Sequence, residues 1–135
     1  MHSIAELCNE IVSHASNLGI QTPLALCPGI SKQNVASATS GLPFAIPAAL
    51  VELYIWRNGT QSAAKPLVDF FPGYAFEPLH DSIQIYSQLV EFPDWQYDWM
   101  PIFRSGGADF YCAKCGPTAL RDTPIVNVAN ELPPF

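Results

Sequence analysis

Cys112-Ala113-Lys114-Cys115 is the sharpest chemical spacing in the chain. Such a pair holds zinc when further sulfur or nitrogen ligands complete a set of four. It does redox chemistry when it opens a helix that lowers the first thiol's pKa. Cys8 and Cys27 are distant and lack the spacing, and His80 would have to be recruited by the fold. Gly116-Pro117 follows where a redox helix would have to begin. In an extended strand, residues three apart point to opposite faces, so the pair chelates only if a turn starts at Ala113. The four thiols are therefore read as reduced and inert. No stoichiometric zinc is expected, and Cys112→Ser with Cys115→Ser is expected to fold normally.

Other candidate chemistry is thinner. Asp94 and Asp98 have the side chains of a glycosidase carboxylate pair, but loop acids far more often serve solubility. His80-Asp81 reads as the first turn of a helix, with Asp81 at the positive end of the dipole. No Ser-His-Asp set is present, and Gly106-Gly107 is too short to cradle a phosphate. Neither enzymatic activity nor a cofactor is expected. His2 and His14 lie off or beside an apolar stripe and read as solvent-facing.

The stretch that combines charge with rigid anchors is E-F-P-D-W-Q-Y-D, residues 91–98. Glu91, Asp94 and Asp98 interleave with Trp95 and Tyr97, residue types favoured as interface anchors. The competing reading is that these aromatics cap the core. Trp99, where a strand begins, is placed inside. Loops leading into a rigid strand are common binding platforms. Glu91, Asp94, Trp95, Tyr97 and Asp98 are the candidate partner-binding residues.

The elements that position this loop follow from pattern. Trp99 to Cys115 gives two apolar runs joined by Gly106-Gly107, a β-hairpin placed at the centre of a sheet. Pro101, without an N–H, belongs at a strand start or an edge-facing position. Ser3 and Glu6 form a capping box. Ile4, Leu7, Cys8, Ile11, Val12, Ala15 and Leu18 then mark one helix face up to Gly19, making residues 1–19 an N-terminal helix. Gln21 to Gly29 reads as a loop. Ser31 caps a short helix, Lys32 to Ser40, whose thin apolar face (Val35, Ala36, Ala38) makes it peripheral. A third helix has Pro47 in its first turn and Ala49, Leu50, Leu53, Tyr54 and Trp56 inward. It stops at Asn58-Gly59, with Arg57 as a cation at its C-terminal dipole.

Thr60 to Lys65 is a polar loop, Leu67 to Phe71 a strand closed by Pro72-Gly73. Pro78 opens a fourth helix, with Glu77 as cap and Leu79, Ile83, Tyr86, Leu89 and Val90 inside. Ile125 to Val128 is a last strand, and residues 129–135 a tail. The fold class is α+β: one domain over residues 1–135, a central mostly antiparallel sheet with helices against it.

Totals narrow the function. The 135 residues suffice for one domain with a real core. Twelve acids against six bases give a net charge of −6, which lacks the basic footprint of nucleic-acid binding and suits a basic protein partner. No signal peptide or membrane span is recognisable, so the expected compartment is the cytoplasm, with no membrane partner.

The order of parts resembles the SUKH superfamily (SMI/KNR-type domains). "LPFAIPAALVELYIWRNG" resembles its LP…P…Y-x-W-x-NG helix, and "WMPIFRSGGADFYCAKCG" its W-x-PI strand, Gly-Gly turn and acidic-aromatic strand. The likeness covers residues 30–128. Two departures stand out: Lys32-Gln33-Asn34 replaces a more acidic helix, and no C-terminal helix follows the last strand. The resemblance implies an α+β fold and a non-enzymatic role. Bacterial members are mostly immunity proteins that neutralise toxins by binding; fungal relatives are linked to cell-wall assembly and signalling. The expected function is toxin neutralisation by direct binding of a protein partner such as a basic toxin domain. The alternatives are a regulatory or scaffold module for an endogenous partner and, more remotely, a metal or redox C-x-x-C protein.

Overall fold

The computed structural model describes residues 3–17, 26–60, 70, 74–105, 109–116 and 124–128. Within them the order is α1 (Ile4–Asn17), β1 (Leu26–Pro28), α2 (Lys32–Thr39), α3 (Ala48–Trp56), β2 (Arg57–Thr60), β3 (Ala75–Phe76), α4 (Leu79–Leu89), β4 (Trp99–Arg104), β5 (Phe110–Lys114) and β6 (Ile125–Val128). Strands β3-β4-β5-β6 form one antiparallel sheet, and β1 pairs antiparallel with β2 in a second. The fold is α+β. Among the described residues, no helix is long and apolar enough to cross a membrane.

The expected hairpin sits at the centre of the four-stranded sheet, though its Gly106-Gly107 turn lies outside the described residues. Pro101 departs from expectation. It is the third residue of a central strand, opposite Cys112, and the register shifts between Pro101 and Phe103. A ladder irregularity is where a missing N–H costs least. The Pro101 carbonyl is not wasted either, since it accepts from the buried Ser82 hydroxyl on α4.

Around this sheet the core gathers Met100, Ile102 and Ala113 under Leu50, Leu53 and Tyr54. Trp99 is only half-buried, because its position faces Lys114 at the start of the ladder. Phe110 is buried outside that main cluster and meets the edge of Trp95, with ring centroids 6.1 Å apart.

The helices begin largely as their caps dictate. The Ser3 hydroxyl accepts from the Glu6 N–H at 3.1 Å, and Ser31 accepts from the Asn34 N–H at 3.0 Å. On α1, however, Cys8 alone among the described side chains is buried; Leu7 and Ile11, expected inward, are 42% and 41% exposed. The apolar stripe is wider than the surface beneath it. Helix α2 is less peripheral than its composition suggests. Val35 and Thr39 are buried where it meets α3 and α4, and the Thr39 hydroxyl bonds the Val35 carbonyl at 2.8 Å.

Several expectations shift where chain segments cross. Pro47 is the N-cap of α3 rather than a first-turn residue (φ −63°, ψ 150°). The helix ends earlier than its Asn-Gly pair, because Arg57 is already extended (φ −153°, ψ 148°). The Arg57 guanidinium does bond the Trp56 carbonyl, at 2.7 Å. Ile30 donates to the Tyr54 carbonyl at 3.0 Å. Leu26–Pro28, expected as loop, becomes a strand because β2 emerges directly from α3 and pairs with it, Leu26 opposite Thr60. Thr60 thus belongs to a strand, not to a polar loop.

Asn58-Gly59 lies inside β2 and has another use. The Asn58 side-chain oxygen accepts from the Leu79 N–H at 2.9 Å, satisfying the first turn of α4 from a distant segment. Gly59 has φ 75°, and a Cβ there would lie 2.4 Å from the Pro78 nitrogen. Only glycine fits that approach. The cap of α4 is Pro78, not Glu77. Glu77 instead turns inward and pairs with Arg104, Oε1 to Nε 2.8 Å. Burial pushes its carboxyl up, and Arg104 pulls it part of the way back. Val90, expected inside, is at the surface.

Of the expected Leu67 to Phe71 strand only Phe70 is described; it is buried and stacks on Phe103 at 5.8 Å. Residues 18–19 of the first helix, its Ala15 side chain, the 61–65 loop and the 129–135 tail lie outside the description.

Tyr54 tests this arrangement. It is fully buried, and its hydroxyl donates to the Glu77 carbonyl at 3.0 Å. Tyr54→Phe should lower unfolding free energy by about 1–3 kcal/mol, because a buried carbonyl loses its donor. Asn58→Ala should cost about 0.5–2 kcal/mol through the lost cap. Denaturant unfolding should show lower midpoints at unchanged slope for both.

Candidate interaction surface

Loop 91–98 leaves α4 through a chain of tight turns. Phe92 donates to the Leu89 carbonyl at 3.0 Å, Trp95 to Phe92 at 3.1 Å and Trp99 to Gln96 at 3.1 Å. Three anchors fix it to the body. The Tyr86 hydroxyl, on α4, donates to the Tyr97 carbonyl. Cys115 donates its N–H to the Asp98 carbonyl at 2.7 Å, and the Trp95 indole donates to the Trp99 carbonyl at 3.2 Å. Burial, with smaller help from Asp98, pushes the Tyr86 phenol up, so it remains a donor. A loop bound this closely presents its side chains in a fixed pattern.

The five candidate residues divide by exposure. Glu91 and Asp94 are exposed, and Tyr97 is 51% exposed. Asp98 and Trp95 are half-buried. Trp95 packs edge-on against Trp99 at 5.5 Å, so much of its surface serves the fold. Phe92, not among the five, joins them at the surface. At 64% exposed it is the most prominent apolar side chain here, beside Glu91. Its signal was a bulky apolar residue between an acid and Pro93, in a segment with no helical or strand period. The arrangement offers two aromatic knobs, Phe92 and Tyr97, bordered by carboxylates. It suits adhesion to a basic surface.

The other candidates are dispersed. His80 is exposed on α4, 3.1 Å from the Gln84 amide nitrogen, and Asp81 is half-buried in the first turn of the same helix. Cys112 and Cys115 are fully buried, Cys8 is buried, and Cys27 is half-buried on β1. No group of three or more His, Cys, Asp or Glu is placed to hold a metal ion among the described residues. Burial pushes the Cys8 thiol up to about 11 and those of Cys112 and Cys115 to about 12. Thiols so reluctant to ionise are poor nucleophiles. Serine at positions 112 and 115 would bury two hydroxyls in a closed core, so the expectation of an undisturbed double serine variant is revised. Alanine is the quieter replacement.

A concavity of about 540 Å³ lies between α1, α3 and the sheet. Ile4 and Cys8 form one wall, Leu50 and Leu53 another, Ala113 part of the floor, and Ile125 lies at the rim. Among the described residues, none that lines it is charged. No sequence pattern announces it, since it arises from how two helices straddle a sheet.

Comparison with known families and curated proteins finds no family model and no protein that matches this chain.

The thiols set an alkaline limit on stability. An ordinary thiol ionises near 9.0, while the folded Cys112 and Cys115 ionise near 12. Their contribution is therefore complete below about pH 9 and is lost as pH rises toward 12. The denaturation midpoint should fall across that window, and less steeply in Cys112→Ala with Cys115→Ala. At pH 8 a thiol reagent should label native Cys27 first and the other three only on unfolding.

Proposed function

We propose that this chain is a non-enzymatic, SUKH-type protein-binding domain. In this reading it acts in the bacterial cytoplasm as an immunity protein, neutralising a toxin by direct binding. The motif order over residues 30–128 and the α+β architecture support the SUKH reading. The observation that carries the binding role is the 91–98 loop. Phe92 and Tyr97 stand exposed on a backbone tied to α4, β4 and β5, with Glu91 and Asp94 beside them. An exposed phenylalanine costs free energy in water and contributes when a partner covers it. The carboxylates steer a basic partner toward it.

Two experiments address the two levels. For biological role, deleting the gene in its host should abolish viability, and deleting the toxin reading frame beside it should restore growth. Recovery of an endogenous regulatory protein as sole partner would overturn the immunity role. For the surface, Asp94→Asn with Asp98→Asn should slow association with the captured partner and flatten its salt dependence. Phe92→Ala should instead speed dissociation, by about 2 kcal/mol if the ring is a hot spot. Trp95→Ala should act through stability as well as binding. Wild-type rates in all folded variants would place the interface elsewhere.

A further inference from the structure

The apolar concavity beneath α1 continues onto the protein surface. Ile4 lines it; Leu7 and Ile11, three and seven residues further along, extend the same flank of α1 and remain 42% and 41% exposed. Across the opening, Ile125 on the edge strand β6 lines the concavity and is 59% exposed. The result is an apolar trough about 10 Å long from Ile4 to Ile11 at 1.5 Å per residue. Beyond Leu7, the next positions around the helix are Glu10 and Glu6, both exposed and one turn apart. Among the described residues the trough thus has uncharged walls and an acidic border on α1.

We infer that the trough between α1 and β6 receives an amphipathic helix of a partner protein, apolar on its docking face and basic along its flank. Three features select this occupant. Among the described residues the trough is elongated, with Leu7, Ile11 and Ile125 exposed along it, which fits apolar anchors at i, i+3, i+4 and i+7 of a helix laid there. A cavity of about 540 Å³ takes several such side chains at once. The border selects the charge: a second copy of this chain would bring its own Glu6 and Glu10 and another net −6 against it. The same repulsion disfavours an anionic membrane surface. This surface is separate from the 91–98 loop, and the inference stands or falls without the immunity reading.

The test uses the full chain and a fluorescent synthetic helix of about 15 residues with leucines at helical spacing and lysines elsewhere. A counterpart carries glutamate for lysine. The lysine peptide should bind saturably and shift the amide resonances of Ile4, Leu7, Ile11 and Ile125. Leu7→Ser with Ile11→Ser should weaken it about tenfold or more, and Glu6→Gln with Glu10→Gln should flatten its salt dependence. The glutamate peptide should bind about tenfold more weakly or worse. Ile125→Ser, on the opposite rim, provides an independent variant should the α1 substitutions disturb the fold. Absence of saturable binding, or equal binding of both peptides, would overturn the proposal. So would resonance shifts confined to residues 91–98 and removed by Phe92→Ala. A concentration-dependent dimer dissolved by Ile11→Asp would assign the trough to a second copy instead.

Discussion

The short segment Phe76–Leu79 holds the molecule together, because its polar groups are answered by three other elements, α3, β2 and β4. The Phe76 carbonyl accepts from the Thr60 hydroxyl on β2, and the Glu77 carbonyl from Tyr54 on α3. The Glu77 N–H donates to Ile102 on β4, its carboxyl pairs with Arg104 at the end of the same strand, and the Leu79 N–H reaches Asn58. Buried backbone groups must be paired, so these bonds fix the segment in one place. They also fix α3, β2, β4 and the start of α4 relative to one another. Packing of Tyr54, Phe76 and Leu79 follows from that registration.

This explains which parts of the fold were legible. The hairpin, the two serine caps and the inward residues of α3 and α4 depend on local period and local chemistry, and the residues announce them. Asn58-Gly59 shows the limit. Its left-handed glycine was readable, but the reason for it, the close passage of Pro78, belongs to a segment nineteen residues away. Glu77 was placed as a cap because it precedes Pro78; the deciding partner, Arg104, is distant in sequence. β1 was hidden because three residues with a proline carry no period, and only the proximity of β2 makes them a strand. In the 91–98 loop the carboxylates and an exposed Tyr97 are legible from the residues. Phe92 was passed over, since exposure depends on which way the turns leave α4.

The distribution of charge connects the two surfaces. Acids outnumber bases twofold in the chain. Of the acids, Glu77 is drawn into the interior and balanced by Arg104. Glu6, Glu10, Glu91 and Asp94 remain outside, beside apolar side chains that the fold leaves uncovered. Carboxylates around apolar patches keep a free chain from sticking to its own kind while leaving those patches open to a cationic surface.

Trp95 and Trp99 lie 5.5 Å apart with ring planes at 84°, and Trp95, a residue of the loop, also meets Phe110 edge-on. Two indoles that close, and not parallel, couple optically. The chain therefore carries its own chromophore pair at the base of the loop. A contact that reorients Trp95 against Trp99 changes that coupling, so aromatic circular dichroism reports the loop's attitude without a label.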